Sequence, residues 1–164
     1  MNLNDPILIF RASEHGFMES AFHKACDGHP NTITIIKSNY GNIFGGYTNI
    51  PWQYKTDQLR DKGESFLFLL YSNNRNYTGQ CPRVWKHSKY CEISPAGHAG
   101  PAFGYGCDLR IMYKGKKSYC WPSSYLQRKP GQQNEAYVIC GAPMITNSVK
   151  AVFQAVEYEV FEMK

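Results

Sequence analysis

The 164-residue sequence lacks any hydrophobic run long enough to cross a bilayer. Its longest strongly apolar stretch is FLFLLY at residues 66–71, whereas a transmembrane helix needs about 20 such residues. Membrane insertion is therefore not expected. The first ten residues, MNLNDPILIF, carry no basic flank, and Arg11 follows the short apolar run directly, so the segment does not read as a secretory signal. A cytoplasmic location is the expectation. In that setting Cys26, Cys81, Cys91, Cys107, Cys120 and Cys140 are read as reduced thiols. The glycosylation sequon at Asn76, Tyr77 and Thr78 would then stay unmodified. Only 19% of residues are charged against 43% hydrophobic, a balance that excludes a disordered chain and supplies material for one core.

Signatures of chemistry are equally scarce. There is no Gly-x-Ser-x-Gly elbow, no papain-like cysteine motif and no His-Glu-x-x-His pair, which removes the specific signals of common hydrolases. The glycines of GPAFGYG at 100–106 lead into a strand rather than a helix and lack a following Gly-Lys-Ser/Thr, so turn geometry explains them better than a phosphate cradle. His23, Cys26 and His29 have a ligand-like spacing. No Cys-x-x-Cys or His-x-x-x-His exists to complete a structural zinc site, and Cys26 reads as a small apolar residue on a helix. The formal net charge is +5, with the basic residues spread apart from one tight cluster at Lys114, Lys116 and Lys117. No basic helical stripe or aromatic–basic recognition motif is present, so a nucleic-acid partner is not expected. No catalytic, cofactor-binding or metal-ligating residue is assigned, and no cofactor is expected.

What is abundant is strand-forming and turn-forming material: 12 Tyr, 9 Phe, 14 Gly and 9 Pro. Residues 6–11 (PILIFR) form a first strand. Phe17, Ala21, Phe22 and Ala25 then recur at helical spacing and place a short helix over 17–26, stopped by Asp27, Gly28 and Pro30. Residues 32–38 (TITIIKS) and 42–48 (NIFGGYT) make the clearest hairpin, turning at Asn39, Tyr40 and Gly41. Residues 52–63 read as a polar loop, 65–72 as a central strand, 83–88 as another strand and 94–106 as a structured loop. Strands are expected again over 107–113, 118–125 and 137–140, and over 153–161 as one bent strand or two. The fold class is mainly β: two packed antiparallel sheets forming a β-sandwich with short peripheral helices.

Five segments, in order, resemble the TLDc domain found in oxidation-resistance proteins. They are 10–27 (FRASEHGFMESAFHKACD), 32–52 (TITIIKSNYGNIFGGYTNIPW), 63–69 (GESFLFL), 100–111 (GPAFGYGCDLRI) and 156–161 (VEYEVF). The resemblance implies a single TLDc-like domain over 1–164 with a β-sandwich fold. It also implies a non-catalytic interaction module, since no enzymatic mechanism is attached to the family. The partner it suggests is the cytosolic sector of the vacuolar proton pump (V-ATPase), with a contribution to oxidative-stress protection. Glu14, His15, Lys114, Lys116 and Lys117 are the candidate partner-binding residues. The alternative is a thiol-based peroxide-consuming enzyme using one of the free cysteines.

Overall fold

The computed structural model describes residues 5–54, 59–60, 64–73, 83–86, 92–93, 99–104, 108–112, 117–121, 135–143 and 150–164. In chain order its elements are β1 (Ile7–Arg11), α1 (Ala12–His15), α2 (Glu19–Cys26), β2 (Thr32–Ser38), β3 (Ile43–Thr48), β4 (Leu59–Arg60), β5 (Phe66–Tyr71) and β6 (Arg83–Lys86). They continue as β7 (Glu92–Ile93), β8 (Ala99–Phe103), β9 (Leu109–Met112), β10 (Ser118–Cys120), α3 (Glu135–Cys140), β11 (Ala151–Phe153) and β12 (Ala155–Glu162). The strands form two six-stranded sheets, ordered β1-β12-β2-β3-β5-β6 and β11-β10-β9-β8-β7-β4. Every pairing between named strands is antiparallel. The fold is the expected mainly β class.

The amphipathic α2 turns Phe22 and Cys26 inward, one turn apart, where both are fully buried. It ends because Asp27 leaves helical geometry and Gly28 takes φ +84°, a region glycine enters without strain. The Gly28 amide then donates to the Trp52 carbonyl at 2.8 Å, which ties the helix end to the chain leaving β3. Trp52, in the segment expected to be a polar loop, is instead a core residue. Its ring meets Phe22 edge-on at 5.2 Å and Phe103 at 5.5 Å, and its Nε1 donates to Thr32 Oγ1 at 2.8 Å. Phe10, Phe44, Phe153 and Tyr158 complete this aromatic interior. Each fully buried ring of this kind contributes about 1.5–3 kcal/mol in water-to-core transfer.

The β2–β3 hairpin forms as expected, with Thr32 opposite Thr48 and Lys37 opposite Ile43, and Gly41 at φ +86° in the turn. Gly46 leaves room for a ring: a Cβ there would stand 2.6 Å from Phe103 Cζ. The last segment resolves into two strands. β11 belongs to one sheet and β12 to the other, and Gln154 lies between them. There the Gln154 amide donates to Asn39 Oδ1 at 2.7 Å, and its carbonyl accepts from the Asn39 amide at 2.8 Å.

Two further expectations are corrected. The glycine- and proline-rich stretch at 94–106 contains the strand β8, where Gly100 leaves room for Tyr158 of the other sheet, whose hydroxyl lies 3.2 Å from where a Cβ would stand, and Ala102 is small and buried. Residues 137–140 are the end of helix α3, not a strand. Tertiary contacts decide that case: Asn42 Nδ2 donates to the Val138 and Ile139 carbonyls at 3.0 and 3.2 Å, and Ser38 Oγ donates to the Cys140 carbonyl at 2.8 Å. Three carbonyls at a helix end, which has no internal donors left, are thus satisfied from the hairpin.

Candidate interaction site

The first strand ends at Arg11, and the chain turns at once into the single-turn helix α1, which carries Ser13, Glu14 and His15. Glu14 meets Arg11 at 2.6 Å. On its other side the Arg11 Nε donates to Glu159 Oε1 of β12 at 2.7 Å. Held between two carboxylates, the guanidinium is pushed further above its ordinary value by the hydrogen bonds to Glu14 and Glu159. The amide of Ser13 is satisfied from outside the turn, by Glu157 Oε1 at 3.1 Å, and the same oxygen accepts from the Tyr158 amide at 3.0 Å. A carboxylate from β12 therefore holds the start of α1, not the side chain of Ser13 or Glu14.

His15 stacks on Phe10 with ring centroids 5.3 Å apart. Its Nδ1 lies 3.1 Å from the Arg11 amide and 2.9 Å from the Arg11 carbonyl, so one tautomer accepts and the other donates. Glu14 and His15 are both exposed, while the network beneath them is fixed to β12. Next to it on the outer face of the first sheet runs an apolar groove of about 190 Å³, lined by Pro6, Ile33, Ile35, Phe161 and Met163. Ile33 and Ile35 point outward because β2 turns Thr32, Thr34, Ile36 and Ser38 inward. Charge and apolar surface thus sit side by side, as protein-binding patches require.

Lys117 occupies a different place. It is exposed just before β10 and lines a pocket of about 250 Å³ with Asn39, Tyr40, Val152, Phe153 and Gln154. The structure therefore brings Glu14 and His15 together and leaves Lys117 on another surface. Lys114 and Lys116 lie outside the described residues. Glu157 and Glu159 are site residues that no local motif singles out. Their alternation in VEYEVF carried the only sequence signal, because their partners are 144 and 148 residues away.

The thiols that are described point away from peroxide chemistry. Cys26, Cys120 and Cys140 are buried. Burial and the Asp27 charge push the Cys26 thiol upward. Burial, the hydrogen bond to Cys140 and the Asp108 charge do the same to Cys120. A reactive thiol needs access to its oxidant, and all three are buried, so these three are structural. Cys81, Cys91 and Cys107 lie outside the described residues. His23 Nδ1 pairs with Asp27 Oδ1 at 2.7 Å and His29 Nδ1 with Glu162 at 3.2 Å, which separates the ligand-like trio onto different partners. Among the described residues no cluster of His, Cys, Asp and Glu is arranged to hold a metal ion. In the glycine-rich stretch, the room at Gly104 is filled by the Asp108 carboxylate, an unsuitable neighbour for a phosphate.

Together these features define an antiparallel two-sheet β-sandwich with short peripheral helices, a sealed aromatic core and charged networks at its surface. The chain belongs to the TLDc domain family, whose model matches residues 1–164. It is similar to the GTPase-activating protein skywalker of Drosophila melanogaster, 28% identical over 86 residues. It is similar also to TBC1 domain family member 24 of Xenopus laevis, 29% identical over 80 residues. These matches cover 47% and 46% of this chain and 14% of each relative. The chain thus corresponds to a small part of these relatives. Among the described residues, no helix is long and apolar enough to cross a membrane.

Proposed function

We propose that this domain is a non-catalytic interaction module of the TLDc type that works in the cytoplasm, docks on the peripheral sector of the V-ATPase and contributes to oxidative-stress protection. The observation that carries the proposal is the family match over residues 1–164. Two features support it: the exposed Glu14–His15 turn anchored to β12, and the deep burial of the described thiols. The GTPase activation in the name of the Drosophila relative is not carried over, since the match takes in 14% of that protein.

In this reading Glu14 and His15 contact the partner, Arg11, Glu157 and Glu159 hold them in place, and the Lys114, Lys116 and Lys117 cluster makes a separate, second contact. The test is affinity capture from cytosolic extract with the immobilised chain, beside a TLDc domain known to recover pump subunits. Recovery of the same subunits, lost on Glu14→Ala with His15→Ala, supports the reading. Recovery by the reference domain alone refutes it.

A further inference from the structure

The outer face of the second sheet carries an arrangement that no linear motif announces. Along β10 the buried Ser118 and Cys120 alternate with the outward residues Lys117, Tyr119 and Trp121. Pairing sets Arg110 of β9 and Val152 of β11 on either side of Tyr119. The Lys150 ammonium stands 3.5 Å from the Tyr119 ring centroid and 6.0 Å from that of Trp121. The Arg110 guanidinium approaches the same tyrosine at 5.9 Å, and its Nη1 reaches the Tyr119 hydroxyl at 3.4 Å. Arg110 Nε is covered and has no hydrogen-bond acceptor. Three cations and two aromatic rings therefore share one strip of three strands, and the described outward residues of that strip include no carboxylate.

From this geometry we infer that the outer face of β9, β10 and β11 is a docking surface for an acidic segment of a protein partner. Charge complementarity selects the occupant. Arg110 is half-buried with its guanidinium held beside the Tyr119 ring and hydroxyl, where an incoming carboxylate gains charge-assisted hydrogen bonds at little ordering cost. Lys150 is already oriented by Tyr119, which lowers the ordering cost of a second carboxylate contact. Trp121 remains 45% exposed and offers apolar area at the end of the strip beyond Lys150, the residue type of a binding hot spot. Lys117, in the neighbouring 250 Å³ pocket, extends the strip towards the β2–β3 turn. This surface is distinct from the α1–β12 network, where Glu14, Glu157 and Glu159 outnumber Arg11.

The inference rests on the interaction-module reading and is tested apart from it. The full chain is titrated into a fluorescein-labelled Glu-Ser repeat peptide, followed by anisotropy at low and at physiological salt. Phosphatidylserine vesicles and duplex DNA serve as competing probes. Binding should weaken as salt rises. It should fall about tenfold or more in Arg110→Gln and in the Lys117→Glu, Lys150→Glu double variant. It should also fall in Trp121→Ala and stay unchanged in Glu14→Ala, with near-ultraviolet circular dichroism confirming that each variant is folded. The lysine pair is surface-exposed or half-buried, so its reversal keeps the test valid should Arg110→Gln disturb the sheet. Equal binding by the wild type and the double variant overturns the inference. Tighter binding to vesicles or to DNA than to the peptide overturns the choice of a protein partner. Peptide binding without capture of pump subunits upholds the surface and removes the pump as partner. Capture of pump subunits without peptide binding removes the surface and keeps the module.

Discussion

Replacing Asn42 by alanine is the most informative single perturbation of the fold, because one fully buried side chain joins three segments distant in sequence. Its amide group donates to the Val138 and Ile139 carbonyls at the end of α3, and its oxygen accepts from the Asn73 amide, just after β5, at 2.8 Å. A Cβ on Gly141 would stand 2.7 Å from Asn42 Oδ1, so the site is packed too closely for water to enter freely and replace the lost bonds. A buried group left unsatisfied costs about 1–3 kcal/mol. Three orphaned groups that partly relax should together cost about 3 kcal/mol. At this chain length about 2–4 °C is lost per kcal/mol, so the melting temperature should fall by roughly 6–12 °C. Asn39→Ala provides the control. It also removes a side-chain acceptor, the one that receives the Gln154 amide, but at an exposed position where water can substitute. Thermal and urea unfolding of both variants measures the difference. Equal shifts for Asn42→Ala and Asn39→Ala would refute the reasoning that burial sets the cost.

Other outcomes follow from the same structure. Gly46→Ala drives a methyl group against the Phe103 ring and should cost about 1–3 kcal/mol by overpacking, visible as a lower urea midpoint at unchanged m-value. Glu14→Ala removes an exposed partner of Arg11 and should shift the melting temperature by less than about 2 °C while abolishing partner capture. Cys26, Cys120 and Tyr158 all have folded-state values raised by burial. The folded protein thus keeps protons that the unfolded chain releases. Their contribution to stability is complete below about pH 9 and is lost as pH rises beyond it, where Cys26→Ala should flatten the slope by about 1.4 kcal/mol per pH unit. Mass spectrometry after brief iodoacetamide treatment should find Cys26, Cys120 and Cys140 unlabelled in the folded protein and labelled after unfolding.

The parts of the fold that were legible in the sequence are those fixed locally. TITIIKS and the Asn39–Gly41 turn announce a hairpin because β-branched residues and a glycine at positive φ act within a few residues. The helix over Phe22 and Cys26 follows from spacing alone. The change of phase after Phe153 was visible, but only the two-sheet topology shows that the chain switches sheets at Gln154. Residues 137–140 look like a strand because Tyr, Val and Ile favour one, yet Ser38 and Asn42 hold them as a helix from about a hundred residues away. The same limit applies to the candidate site. The Arg11–Glu14 pair spans three positions of the chain, whereas Glu157 and Glu159 reach the network only through the pairing of β1 with β12. The cation–aromatic strip on the second sheet likewise depends on the register of three strands.

In the proposed reading this TLDc domain acts by binding and not by turnover. Its most direct test is titration of the purified chain against the isolated peripheral V-ATPase sector, followed by biolayer interferometry, with the Glu14→Ala, His15→Ala double variant beside it. The predicted result is saturable one-to-one binding by the wild type, weakened at least about tenfold in the double variant, whose melting temperature matches that of the wild type. No saturable binding to the sector, together with catalytic peroxide consumption by the reduced wild-type chain, would show instead that the domain acts through its thiols.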